Sequence, residues 1–163
     1  MDWRTAYLNQ ARWDFEMFRR LEKMNDVPPC YQLHYLQMAT EKLAKGYLTL
    51  PGGGPYERTH DAFLKFMRVA KKLSEIRKMC GFSSSEKHKS YNEYIDGLIP
   101  IAGQIENLSP EGDDHPNPEY PWVDARGNVI SPLNHRFTGL DMTHPKMVKL
   151  VEFLNSLLQI PAE

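Results

Sequence analysis

Five segments of this 163-residue chain carry apolar residues at intervals of three and four, which places them on one face of an α-helix. The segments span about 4–24, 29–50, 59–80, 86–108 and 145–158, and short loops join most of them. Strand-like alternation occurs only at 122–130, where the sequence predicts a short hairpin turning at 126–128. Because helices joined by short loops pack as antiparallel neighbours, we expect one all-α domain over 1–163, an up-and-down bundle of four to five helices.

The second segment is the most regular of the five. Beside its apolar stripe, Gln37, Glu41 and Lys45 follow one another at intervals of four. Glu41 precedes Lys45 by one helical turn, the order that favours an ion pair on a helix. The stripe itself consists of Leu33, Leu36, Thr40, Leu43, Tyr47 and Leu50. The pattern therefore predicts one amphipathic helix with a polar pair along its edge.

The run Gln37-x-x-x-Glu41-Lys42-x-x-Lys45 resembles the second helix of the HEPN superfamily, in which a small residue follows, as Gly46 does here. The preceding helix is similar to the first HEPN helix at Ala11, Asp14, Phe15 and Phe18. The resemblance covers the first two helices well and the next two by pattern alone. It implies a helical bundle, a homodimer and a link to RNA.

The resemblance implies several functions. The first is a non-catalytic or divergent binding module for RNA, a nucleotide or a protein, with no cofactor. The second is a metal-independent, toxin-like ribonuclease. The third is an antitoxin-like or assembly partner of a nucleotidyltransferase.

The ribonuclease alternative needs a particular pair of residues. Catalytic HEPN proteins carry an arginine, four to six residues and then a histidine. Histidine can shuttle the proton of the RNA 2′-hydroxyl, and arginine can stabilise the charge that develops on the phosphate. No arginine here has a histidine at that interval, and Arg58 and His60 are too close together. Arg136 and His144, with seven residues between them, are the nearest candidates for this role.

Charge is unevenly distributed although the net charge is −1. Residues 65–89 contain eight lysines and arginines and two glutamates, whereas 91–124 contain eight acidic residues and no lysine or arginine. The basic segment is interpreted as a solvated face, as a face neutralised within the fold or by a second copy, or as a phosphate-binding face. Its candidate contacts with RNA or a nucleotide are Lys65, Arg68, Lys71 and Lys72.

Residues 109–144 form the irregular, proline-rich part of the chain. Such a long connection is unusual in a compact domain and is often functional. Its apolar residues predict an ordered meander packed over the helix ends. They are Tyr120, Trp122, Val129, Ile130, Leu133 and Phe137.

Other sequence features narrow the class of protein. The histidines and aspartates of the 109–144 segment lack compact ligand spacing, so no metal site is predicted. Cys30 and Cys80 are expected to be buried thiols. No apolar run approaches the ~20 residues of a membrane span, and the first residues carry no apolar signal region, so we expect a cytoplasmic protein away from the membrane.

Overall fold

The computed structural model describes residues 1–57, 59–83, 87–108 and 116–158, so part of the predicted meander, including His115, lies outside the described residues. The described residues confirm the predicted all-α bundle: they form six α-helices and one small sheet. The helices are α1 (Trp3–Leu21), α2 (Pro29–Leu48), α3 (Ala62–Ala70), α4 (Ser74–Met79), α5 (His88–Glu106) and α6 (Pro145–Leu158). The strands are β1 (Trp122–Val123) and β2 (Val129–Ile130), and residues Pro132–Asn134 form a 3-10 turn.

The core lies where the apolar stripes of the helices meet. Phe66 of α3 stacks on Tyr47 of α2 with ring centroids 5.1 Å apart, and it also contacts Phe153 of α6. Gly46 allows α1 and α2 to approach closely, because a Cβ at this position would lie 2.7 Å from Cδ2 of Leu8. The small residue after Lys45 therefore has a packing role.

The third predicted helix, 59–80, is wrong as one continuous element. The structure divides it into α3 and α4, with Leu73 in an extended conformation between them. The Tyr91 hydroxyl of α5 donates a 2.7 Å hydrogen bond to the Ala70 carbonyl, and the Leu73 amide also donates to that carbonyl. The Ala70 carbonyl therefore already has two donors. In a continuous helix it would instead accept a hydrogen bond from the amide four residues later.

The N-terminus of α3 is capped from another helix. Asp61 precedes α3 but makes no side-chain cap hydrogen bond. Instead, the buried Glu106 carboxylate at the end of α5 accepts from the amides of Phe63 and Leu64, at 2.8 and 3.0 Å. These amides have no partner within the helix, so Glu106 satisfies donors that would otherwise be buried without one.

The predicted hairpin is confirmed at 122–130. Trp122 pairs with Ile130 and Val123 with Val129 in an antiparallel register, and Gly127 takes a φ of +83° in the turn. Trp122 and Phe137 are buried against the bundle, as expected of the meander. The expectation is wrong for Tyr120, Val129 and Leu133, which remain exposed. For Val129 the reason is that successive side chains of a strand point to opposite faces, so Val129 lies on the face opposite to Ile130.

Among the described residues, no helix combines the length and the apolar character that crossing a membrane requires. Cys30 is buried and Cys80 is half-buried. Burial raises the pKa of the Cys80 thiol to about 11. The expectation of a buried thiol is therefore confirmed for Cys30, whereas Cys80 is only partly buried.

Candidate functional site

Two cavities open along residues 135–142. The larger, of about 370 Å³, lies against the C-terminal turn of α5 at Gln104 and Asn107. The smaller, of about 250 Å³, lies against the first turn of α2 at Pro29 and Gln32. Both cavities share one wall. Its residues are His135, Arg136, Phe137, Thr138 and Leu140.

Two buried side chains anchor this shared wall. Phe137 and Leu140 belong to the hydrophobic core, and the Leu140 amide donates to the Phe137 carbonyl at 3.1 Å. Gly139 completes the turn with a φ of +84°, which favours glycine, and a Cβ there would lie 3.2 Å from Oε1 of Gln104. Arg136 and Thr138, on either side of the buried Phe137, are exposed to solvent.

Three aromatic rings stand together beside the cavities. His135 meets Trp122 and Phe137 edge-on, with ring centroids 4.8 Å apart in both pairs. Trp122 and Phe137 are buried, whereas His135 is partly exposed. Trp122 and Phe137 therefore support the ring of His135, which is the member of the cluster exposed enough for a base to stack on it.

Arg136 and His144 both lie near Asp141. The carboxylate of Asp141 accepts from the hydroxyl and the amide of Thr143 at 2.6 and 2.8 Å. These two bonds lower the pKa of Asp141, and the positive charge of Arg136 lowers it further. Arg136 lines both cavities, but within the described part of the chain it forms no ion pair.

His144 caps the N-terminus of α6. Its Nδ1 accepts a hydrogen bond from the Lys146 amide at 3.3 Å, so in this geometry a neutral ring carries its proton on Nε2. An Nε2–H donates a hydrogen bond and cannot accept a proton. His144 also does not line either cavity.

The predicted basic residues fall into two groups. Lys65 forms an ion pair with Asp61 at 2.7 Å, and Lys71 forms one with Asp96 at 2.5 Å. Arg68 and Lys72 are exposed, and no carboxylate among the described residues pairs with either. Carboxylates of the same chain therefore neutralise Lys65 and Lys71, whereas Arg68 and Lys72 are exposed to solvent.

The Gln37–Glu41–Lys45 ladder forms a half-buried network on α2. Glu41 accepts from Lys45 at 2.5 Å and from the Gln37 amide at 3.5 Å. His60, before α3, lies 3.5 Å from the same carboxylate. A second pair, Lys42 to Asp14 at 2.8 Å, joins α2 to α1. The bonds of the ladder itself lie within α2, and the contacts to other segments are those of Glu41 with His60 and of Lys42 with Asp14.

Sequence reasoning missed Gln104, Asn107 and Gln32, which line the cavities from two helix ends. Exposed amides at a helix end carry no local signal, because only the tertiary fold brings them to residues 135–142. Among the described residues, no group of three or more histidine, cysteine or acidic side chains could hold a metal ion. No family model, curated protein or solved structure matches this chain.

Proposed function

We propose that this chain is a HEPN-like binding module, non-catalytic or divergent, that takes single-stranded RNA or nucleotides beside residues 135–142. One observation carries the proposal: Arg136 is exposed where two cavities meet beside the partly exposed ring of His135, and it forms no ion pair within the described residues. A guanidinium suits phosphate because its planar donors match the phosphate oxygens. Aromatic rings accept bases by stacking, which tolerates many sequences.

The hydrogen bond at Nδ1 of His144 favours binding over cleavage, because it occupies the nitrogen that could accept a proton. Strand cleavage through the 2′-hydroxyl needs a group that accepts its proton. While Nδ1 of His144 caps α6, Nε2 holds a proton and can only donate to a ligand such as phosphate. The same geometry therefore supports recognition of an anion at this end of the bundle.

The test is fluorescence anisotropy with a labelled single-stranded RNA of about twelve nucleotides, in EDTA. We expect binding that weakens steeply between about 50 and 200 mM salt, because phosphate contacts release counterions. Arg136→Ala should lower the affinity about tenfold, corresponding to ~1.4 kcal/mol. The matched control is Arg126→Ala, since Arg126 is also exposed but lines neither cavity.

Equal binding by wild type and Arg136→Ala, or no binding by either, would contradict the proposal. The same samples run on a denaturing gel examine the ribonuclease alternative. Cleavage in EDTA that disappears in both His144→Ala and Arg136→Ala would establish catalysis at these two residues instead.

A further inference from the structure

We propose that the two cavities accept consecutive nucleotides of a single RNA strand, with adenine in the larger cavity and the linking phosphate on Arg136. This inference rests on the proposed function, since it specifies the ligand of the same site. Three features of the cavities support it: their size, their shared wall and the amides at one end of the larger cavity.

The volumes of the two cavities and the wall that they share favour a ligand of two linked nucleotides. The larger cavity, about 370 Å³, lies near the lower end of the roughly 300–1,000 Å³ of small-molecule sites, so it suits one nucleotide unit rather than a duplex. The second cavity, about 250 Å³, lies just below this range and continues on the other side of the same wall. A strand that places one base in each must pass its phosphate over the shared residues.

Arg136 is placed for that phosphate. It lines both cavities, and it is the one guanidinium or ammonium group among their described lining residues. A cation at the boundary matches the position of the linking phosphate, whereas a cation deep in one cavity would match a base or a terminal phosphate. The partly exposed ring of His135 lies beside it for stacking.

The amides favour adenine in the larger cavity. Gln104 and Asn107 are both exposed there, and within the described chain neither side chain makes a hydrogen bond. A side-chain amide can donate to N7 and accept from the amino group of adenine at the same time, a pairing typical of asparagine and glutamine. The described lining of this cavity contains no carboxylate, which would select cytosine instead.

The experiment is isothermal titration with AMP and with the dinucleotides UpU, ApU and UpA. We expect ApU or UpA, depending on strand direction, to bind at least about tenfold more tightly than UpU, the effect of one good bidentate base contact. The same dinucleotide should also bind more tightly than AMP. Arg136→Ala should weaken all three dinucleotides.

The discriminating variant is Gln104→Ala with Asn107→Ala. It should reduce the affinity of the preferred dinucleotide to that of UpU and leave UpU unchanged. Both residues are exposed, so the core is preserved, and Asn134→Ala is the control, an exposed amide that lines neither cavity. Equal affinity for UpU and both mixed dinucleotides, or AMP binding as tightly as the best dinucleotide, would overturn the inference while the proposed function stands. No nucleotide or RNA binding at all would overturn both.

Discussion

At the scale of single residues, Glu106 shows how burial and hydrogen bonding oppose each other. Burial raises the pKa of this carboxyl, and the amides of Leu64 and Phe63 offset part of that rise. The folded-state pKa therefore lies above the unfolded value, because the cost of burying the charge exceeds the benefit of the two bonds. Glu106 binds its proton more tightly in the folded state.

The sign of the pH effect follows from this shift. The contribution of Glu106 to stability is fully present below the unfolded pKa and is lost as pH rises through the folded pKa. In urea unfolding between about pH 4 and 7, the stability of wild type relative to Glu106→Gln should decrease with rising pH. A difference that stays constant with pH would contradict this assignment.

A companion variant, Glu106→Ala, isolates the cap. It leaves the amides of Phe63 and Leu64 without their acceptor, so we expect a loss of about 1–3 kcal/mol in the free energy of unfolding. Asp61→Ala is the matched control, because Asp61 stands before α3 without capping it. A loss as large in the control as in Glu106→Ala would reject the cap assignment.

His144 carries a second prediction at this scale. His144→Ala should cost about 0.5–1 kcal/mol of stability through the lost helix cap, as measured by urea unfolding. Asparagine also caps helices well, so His144→Asn should restore most of the loss. RNA affinity should change less than in Arg136→Ala. Full stability in His144→Ala would show that the cap contributes nothing.

At the scale of elements, the break between α3 and α4 depends on Tyr91. Its hydroxyl is buried and bonds the Ala70 carbonyl at 2.7 Å, so Tyr91→Phe should cost about 1–2 kcal/mol in the free energy of unfolding. The neighbouring hydroxyl of Tyr94 makes an exposed 3.4 Å bond, and Tyr94→Phe should cost less than about 0.5 kcal/mol. Equal losses in the two variants would contradict this role of Tyr91.

The sequence predicted the helices but not the break between α3 and α4. Apolar spacing placed α6 at 145–158 and located α1, α2 and α5 to within a few residues. The same spacing continues from Phe63 to Cys80, because Leu73 and Ile76 keep the helical interval across the break. The group that completes the interruption, the Tyr91 hydroxyl, belongs to a later helix. No local pattern could therefore show it.

At the scale of the whole molecule, the site depends on contacts between distant segments. The sequence indicated Arg136 because of its spacing to His144. In the structure the two residues are not brought into one cavity: Arg136 lines both cavities, and His144 caps α6. The cavities around Arg136 also need Gln104 from α5 and Gln32 from α2. Local sequence could identify the cation but not its surroundings. The homodimer implied by the HEPN resemblance stays a prediction that sedimentation equilibrium can measure.

The surface cations provide a prediction at this scale. If the basic face contributes to RNA binding, Arg68→Ala with Lys72→Ala should reduce the slope of log affinity against log salt by up to about two. Both cations are exposed, and no carboxylate in the described part of the chain pairs with either. The matched double variant, Lys65→Ala with Lys71→Ala, should have the smaller effect because both lysines already have carboxylate partners. Anisotropy titrations over a salt series measure both slopes, and the reverse order would contradict the prediction.

The cap on α3 also has a consequence for the order of events during synthesis. The Phe63 amide finds its acceptor 43 residues later in the chain. At a translation rate of about 5–20 residues per second, Glu106 is added about 2–9 s after Phe63. We therefore expect α3 to acquire its first stable turn only once α5 has been made. Until then, the apolar side chains of Phe63 and Phe66 are available to chaperones.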